Sequence, residues 1–326
     1  MKLQLHITGK CNLRCKHCYI AEHADELDYE SFLCVMEQFD ALSEQVQNGV
    51  EEKPTVHITG GEPFLHRDIH KILNFFAERK DKYAFGILSN GTVLNKEFLD
   101  LTVKAAPNPF QVSIDGIEQT HDAIRGKGNL KKVLAGIDAL VERGIPVQVS
   151  FTAHRGNYRE FPKIAALCRT HGVKRLWSDR YIPCSEADLE PLTREDMFYY
   201  VDLISTEHIN PMNKAAGLTV RNNRALQFLL TKSMPHRCLA GESIIVVDEK
   251  GNIMPCRRLP LIRGNIRGTT LSKVYFSDPI FRELRSCISV GKCSSCIHRN
   301  TCRGGERCFT YAVTKDYSMP DPCCWL

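Results

Sequence analysis

Three cysteines, Cys11, Cys15 and Cys18, stand in one short stretch near the N-terminus, and nine of the chain's 15 fall between Cys238 and the C-terminus. The spacing Cys11-x3-Cys15-x2-Cys18 lets three thiolates from one loop converge on a single centre and leaves a fourth coordination position open. An iron–sulfur cluster with an open iron is a place where something else can bind. A zinc knuckle or buried thiols are the plainer alternatives. Structural zinc wants four ligands in closed tetrahedral spacing, and His17 alone stands nearby to complete the set. The tail carries Cys238-x12-Gly251-x4-Cys256, then Cys293-x2-Cys296-x5-Cys302-x5-Cys308, then Cys323-Cys324. That spacing admits zinc as well as clusters. Disulfides are not the expected use of an odd number of cysteines in a reducing cytosol.

The elements that position these residues come from a chain of 326 residues, 43% hydrophobic, enough for one large domain plus a small one and too apolar for intrinsic disorder. No apolar run approaches the roughly 18 residues of a membrane span, and the N-terminus alternates from Lys2 without a signal pattern. A soluble, cytoplasmic protein is expected. The net charge of +5 lies wholly in the cysteine-rich tail, where 13 Lys+Arg face 8 Asp+Glu. So small an excess, without aromatics interleaved among the basic residues, argues against a nucleic-acid partner.

KLQLHIT at 2–8 alternates like a strand, and Phe32, Met36, Phe39, Leu42 and Val46 follow at helical spacing. The unit repeats: strand 55–59 with helix 68–80, strand 83–88 with helix 96–105, strand 110–114 with helix 129–143. Strand 147–152 leads into helix 159–171, and strand 175–182 into a helix after Pro191. Six such units imply a parallel sheet with helices outside, closed or partly closed into a barrel whose chemistry collects on the loops after the strands. From Cys238 short strands take over, with a hairpin at 244–247 and 253–254 about Lys250-Gly251-Asn252. The predicted domains are a barrel over 1–184, a helical connection over 185–237 and a small cysteine-rich domain over 238–326.

CNLRCKHCY at 11–19, with Tyr19 directly after the last cysteine, resembles the radical S-adenosylmethionine (SAM) enzymes, whose fold is a partial (β/α)6 TIM-like barrel. The resemblance implies that Cys11, Cys15 and Cys18 hold a 4Fe-4S cluster whose fourth iron chelates the amino and carboxylate groups of SAM. One-electron reduction then releases a 5'-deoxyadenosyl radical that abstracts a substrate hydrogen, the hard chemistry belonging to the cofactors. Gly60-Gly61-Glu62-Pro63 matches the family's GGEP motif, where backbone and the Glu62 carboxylate receive the SAM ammonium. Ser89-Asn90 and Ser113-Ile114-Asp115-Gly116 match strand-end motifs near the SAM ribose and carboxylate. His121-Asp122-x2-Arg125-Gly126 resembles a run in which the arginine approaches the SAM carboxylate, a fork of donors suiting that group. Asn157, after the fifth strand, is a candidate for the adenosine end.

The tail resembles the SPASM extension, which carries auxiliary clusters in peptide- and protein-modifying members of the family with the pattern CX9-15GX4C, CX2CX5CX3C and a last cysteine. The resemblance implies that Cys238, Cys256 and Cys308 ligate a first auxiliary 4Fe-4S cluster. Cys293, Cys296, Cys302 and one of the terminal pair would ligate a second. CRGGERC has five residues between Cys302 and Cys308 where the family has three, so Cys308 departs from the pattern. The ending Asp321-Pro322-x-Cys324-Trp325 favours Cys324 over Cys323. Cys287, Cys323 or substrate would supply a fourth ligand to the first auxiliary cluster.

Cys184 ends the sixth strand, where a thiol could donate a hydrogen atom to a substrate radical or complete a cluster, and Asp179 and Arg180 on the same strand end are candidate substrate contacts. Cys34 and Cys168 sit in predicted helices among Leu, Val and Phe and are expected to be buried. The function implied is a radical SAM/SPASM maturase that installs a thioether or carbon–carbon crosslink in a ribosomally made peptide, or inverts a stereocentre. Its partners would be that peptide or protein and a reductant such as flavodoxin or ferredoxin. Because the strand–helix pattern begins at residue 2, a separate peptide-recognition domain is expected to be supplied by a partner protein, or the substrate docks directly. The alternatives are a sulfatase-type formylglycine maturase, a dehydrogenase acting on a small molecule or cofactor precursor, and a cluster- or zinc-binding regulator.

Overall fold

The computed structural model describes residues 1–20, 24–47, 52–183, 189–221, 225–232, 234–286 and 290–326, so Cys184 and Cys287 lie outside the described residues. Packing divides the chain into two compact units. One comprises Met1–Asn12, Ile20–Gln111 and Leu239–Ser286, the other Leu13–Tyr19, Val112–Cys238 and Cys287–Leu326. The division follows packing and departs from the chain-order boundaries at 184 and 238.

In the first unit β1 (Lys2–Thr8), β2 (Thr55–Gly60) and β3 (Ala84–Ser89) lie side by side in parallel. Leu3 and Leu5 stand opposite Val56 and Ile58, and all four are fully buried, as expected of parallel strands covered on both faces. The helices that follow these strands in turn are α1 (Tyr29–Gln47), α2 (Ile69–Ala77) and α3 (Lys96–Ala105). The third starts where the Asn95 side chain accepts a hydrogen bond from the Phe98 N–H. The face of α1 that carries Phe32, Val35, Met36, Phe39 and Leu42 is buried. Phe32 meets the Phe75 ring edge-on at 5.2 Å, and Phe76 stacks on Phe85 at 3.9 Å. Such pairs contribute about 0.5–1.5 kcal/mol beyond their buried area. Cys34 lies off this stripe and is exposed, contrary to its expected burial, whereas Cys168 is buried.

The second unit takes over within β4 (Phe110–Ser113), which the chain enters from the first. Here β5 (Val147–Ala153) and β6 (Arg175–Arg180) pair in parallel, and β7 (Thr219–Val220) pairs with β6. The stretch 185–237, expected to be helical, thus holds a strand of two residues, too short to show any alternation. The longer helices of this unit are α4 (Glu118–Arg125), α5 (Asn129–Glu142), α6 (Phe161–Thr170) and α7 (Arg194–Ile209). A reciprocal capping box between Thr193 and Asp196 opens the last of these.

The predicted hairpin forms from β8 (Ile244–Val247) and β9 (Asn252–Met254), and β10 (Gly264–Asn265) extends it. It is not confined to the tail. Ile245, Val246 and Val247 are all fully buried because β8 pairs in parallel with the free edge of β1. Among the described residues no helix is long and apolar enough to cross a membrane.

Candidate functional site

Within the first unit the loops after β1, β2 and β3 are tied together around Cys11. The Gly61 N–H donates to Thr8 O at 2.7 Å and the Glu62 N–H to Lys10 O at 2.8 Å. Gly61 is pressed so closely on this loop that an added Cβ would lie 2.3 Å from Lys10 O and 2.6 Å from Gly9 O. Pro63 then opens a short 3-10 turn. The Glu62 carboxylate is fully buried and accepts from the Ser89 hydroxyl at 2.8 Å, the Asn90 N–H at 2.8 Å and the Phe64 N–H at 3.3 Å. Burial pushes its carboxyl up to about 7 against these three donors. Asn90 in turn donates to Asn12 Oδ1 at 2.9 Å and points its amide at the Cys11 sulfur, 3.9 Å away. Glu62 and Asn90 therefore brace the cysteine loop.

The other half of the motif, Cys15, Cys18 and Tyr19, belongs to the second unit. All three side chains are half-buried. The Cys18 N–H donates to Cys15 O, and the Lys16 N–H donates to Ile124 O at the end of α4. Asp115 is the hub here. Its carboxylate has no exposure and accepts from the Thr152 N–H at 2.9 Å, from Arg125 Nε at 2.5 Å and from His17 Nε2 at 2.7 Å. Burial alone would raise its pKa, but the Arg125 and His17 charges hold the carboxyl well below the usual range. Arg125 is thereby aimed at the cluster motif, with Nη1 3.7 Å from the Cys15 sulfur. His17, weighed in the sequence solely as a zinc ligand, is the residue that reading missed. Its place between Cys15 and Cys18 was the available signal.

Like Glu62, three further side chains expected to meet SAM or substrate are taken up inside the protein. Asn157 spends its amide on Asp115 O and Thr152 O, both at 2.9 Å, and on the His154 N–H at 2.7 Å. The Asp115 carboxylate has its three donors already. Arg180 is buried against Glu306 and Asp321 and not presented to a ligand. Asp179 remains at the end of β6 with Oδ1 accepting its neighbour's N–H, and Ser113 ends β4 half-buried. Several buried donors have no partner among the described residues, His121 Nε2, His154 Nε2 and Arg307 Nη2 of this unit among them. His154 Nδ1 accepts the Gly156 N–H, which leaves the proton on Nε2, and that atom is unpaired. An oxygen-rich ligand would satisfy it.

In the tail portion of the second unit a cavity is lined by Cys293, Cys296, Cys302 and Cys324, together with His298, Arg299 and Asp321. The adjacent Cys323 is buried elsewhere, its thiol directed at Leu192 O. Backbone N–H groups serve the lining sulfurs: the His298 N–H lies 3.4 Å from Cys296 Sγ. Burial pushes the Cys302 thiol up to about 11 against hydrogen bonds from the Gly305 and Gly304 N–H groups, which favour the thiolate. Four thiols around one cavity, supplied with N–H donors, fit an iron–sulfur cluster. Among the described residues no three His, Cys, Asp or Glu side chains converge on one ion. A four-iron cluster binds each thiolate to a different iron, so its ligands stand apart. Cys308 is buried with its thiol 3.5 Å from Glu306 Oε1; Cys238 belongs to the second unit and Cys256 to the first.

A model of the radical SAM superfamily matches residues 5–168, and one of the SPASM iron–sulfur cluster-binding domain matches residues 238–297. The AdoMet-dependent heme synthase of Methanosarcina barkeri is 27% identical over 98% of this chain and 94% of its own. The PqqA peptide cyclase of Gluconobacter oxydans is 26% identical over 100% of this chain and 90% of its own. The crystal structure of SuiB from Streptococcus suis bound to S-adenosylmethionine has a TM-score of 0.79 at 18% identity. It covers 100% of this chain and 77% of SuiB. That likeness is one of fold, an α/β fold built on a parallel-strand sheet.

Proposed function

Because the chain belongs to the radical SAM superfamily and ends in a SPASM iron–sulfur domain, with SAM and 4Fe-4S clusters as its cofactors, we propose that it is a maturase oxidising a ribosomally made peptide. Cys11, Cys15 and Cys18 would hold the cluster that binds SAM, and Cys293, Cys296, Cys302 and Cys324 an auxiliary cluster. Cys238, Cys256 and Cys308 would serve the other auxiliary cluster, with a fourth ligand from Cys287 or substrate. Bound at the N-terminal cluster, SAM and that cluster would supply the radical chemistry by which a hydrogen atom is taken from the substrate.

The protein's own residues bind and orient. Glu62 and Asn90 fix the loop that carries Cys11, while Asp115 holds Arg125 beside Cys15, where its charge offsets that of thiolates. The unpaired His154 Nε2–H would donate to an oxygen of SAM. Asp179 at the end of the sixth strand, and Cys184, which lies outside the described residues, would be the remaining candidates for a substrate contact.

The four-cysteine cavity carries this reading. Forming a crosslink removes two hydrogens from the substrate: one leaves as the abstracted atom, the other as a proton and an electron. The electron needs an acceptor, which an auxiliary cluster in that cavity would provide, whereas inversion of a stereocentre would need a hydrogen donor instead. The likeness to the PqqA peptide cyclase along the whole chain supports a peptide substrate. A flavodoxin or ferredoxin would supply electrons, and a separate protein could present the peptide. The likeness to the heme synthase favours a second reading, oxidation of a tetrapyrrole-like cofactor precursor.

Anaerobic turnover with SAM and reductant tests both. The peptide reading expects 5'-deoxyadenosine together with a precursor peptide lighter by two hydrogens. Consumption of a porphyrin precursor, with peptides unchanged, would replace it by the second.

A further inference from the structure

Arg180 closes β6 with 1% of its surface exposed, and its guanidinium is held by groups of the tail. Its Nε donates to Glu306 Oε2 at 2.7 Å, its Nη1 to Asp321 Oδ1 at 3.1 Å, and its Nη2 to Asp321 Oδ2, while the guanidinium lies 3.9 Å over the Phe309 ring. Asp321 is more than a counter-charge. Its Oδ1 accepts the Cys323 N–H at 3.0 Å, its Oδ2 the Glu306 N–H at 3.0 Å, and its carbonyl the Cys324 N–H at 2.9 Å. Its own N–H donates to Gly304 O at 3.2 Å. The same Gly304 and its neighbour direct their N–H groups to the Cys302 sulfur. Gly305 has φ +83°, and a Cβ there would sit 2.6 Å from Asp321 Cβ. This Gly-Gly pair lies between Cys302 and Cys308, where CRGGERC has five residues against the usual three, and at Gly305 the missing Cβ lets the Asp321 side chain pack on the backbone.

We propose that Arg180 is a positioning residue for the auxiliary cluster, clamping Asp321 and Glu306 so that Cys302 and Cys324 face the same cavity. The inference rests on the reading of that cavity as a cluster site. One guanidinium holds two buried carboxylates, and its planar fork serves Asp321 through two nitrogens while Nε serves Glu306, an arrangement an ammonium cannot copy. Without it the two carboxylates repel each other and the loop that ends in Cys324 loses its anchor. Outer partners of this kind commonly change metal retention by about 10–100-fold.

The test uses the full chain, reconstituted anaerobically, with iron content, release of iron to a chelator and the spectrum of the SAM-bound cluster as readouts. Wild type should hold about 12 iron per chain. Arg180→Met should fall to about 8 while SAM still perturbs the N-terminal cluster's spectrum. If Arg180→Met does not fold, Arg180→Lys and Asp321→Asn decide: each should release its auxiliary iron at least about tenfold faster than wild type. Release within about twofold of wild type in both, or a raised KM for substrate with iron unaltered, would overturn the clamp. A Cys324→Ser variant that keeps the full iron complement would instead sink the cluster reading of the cavity.

Discussion

Replacing Asp115 by Asn should be among the most damaging single changes in the second unit that leaves every cysteine in place. The carboxylate has no exposure and its Oδ2 takes both Arg125 Nε and His17 Nε2, while Oδ1 takes the Thr152 N–H. An amide can keep the Thr152 bond, but it turns an N–H2 group toward two donors. Arg125, with 11% of its side chain exposed, is then left as an uncompensated buried charge. Breaking such a pair costs about 3–5 kcal/mol, and its strength is unaffected by the modest worth of surface pairs. At roughly 2–4 °C per kcal/mol, the melting temperature should fall by roughly 6–20 °C. The pH dependence has a definite sign. Arg125 and His17 hold the folded-state pKa below the unfolded one, so the pair's contribution is fully present above the ordinary aspartate range and is lost as pH falls beneath it. Denaturant unfolding of Asp115→Asn, Arg125→Met and the double variant closes the cycle. The double variant should recover most of the loss, because a buried pair exchanged for uncharged groups is often neutral. A single variant within about 1 kcal/mol of wild type, or a double variant as unstable as Asp115→Asn alone, would refute the role given to Asp115.

Glu62 should show the opposite linkage. With its carboxyl raised from 4.5 to about 7 by burial, it favours the folded state most below its unfolded pKa, and stability should decline by roughly 3 kcal/mol as pH rises from 4.5 to 7. Urea titrations across that range should find the slope reduced in Glu62→Gln. Gly61→Ala places a methyl 2.3 Å from Lys10 O, so the Cys11 loop must move. A cost of about 1–3 kcal/mol and a lowered yield of the SAM-binding cluster, read by its spectrum, are expected. Of the terminal pair, Cys324→Ser should lose auxiliary iron while Cys323→Ser keeps it, since Cys324 lines the cavity and Cys323 faces Leu192 O. Iron analysis of the two variants side by side checks this.

What could be read from the chain alone was whatever is local along it. The helix Lys96–Ala105 has the bounds its sequence indicates because its start is written in one residue, Asn95. The N-terminal cluster motif is legible because three ligands share eight residues. The loss begins where meaning depends on partners far off in sequence. Arg180 ends a strand where substrate contacts collect, and its type suits a substrate carboxylate. Its actual carboxylate, Asp321, lies 141 positions away and is as buried as itself. Asp115 likewise looks like a ligand contact until His17, 98 positions earlier, and Arg125 occupy it. Cys34 was misplaced for a related reason: Leu33 and Val35 beside it are apolar, but the buried stripe of α1 passes through Phe32, Val35 and Met36 and leaves Cys34 outside. In each case the residue type was informative and the partner was not. A charged residue at a strand end can hold a ligand or hold the scaffold that aims one, and its burial and the saturation of its hydrogen bonds decide which. By that measure Arg180 and Asp115 would serve the sulfurs, and binding of SAM or substrate would fall to groups that still have a donor or acceptor to offer, the His154 Nε2–H among them.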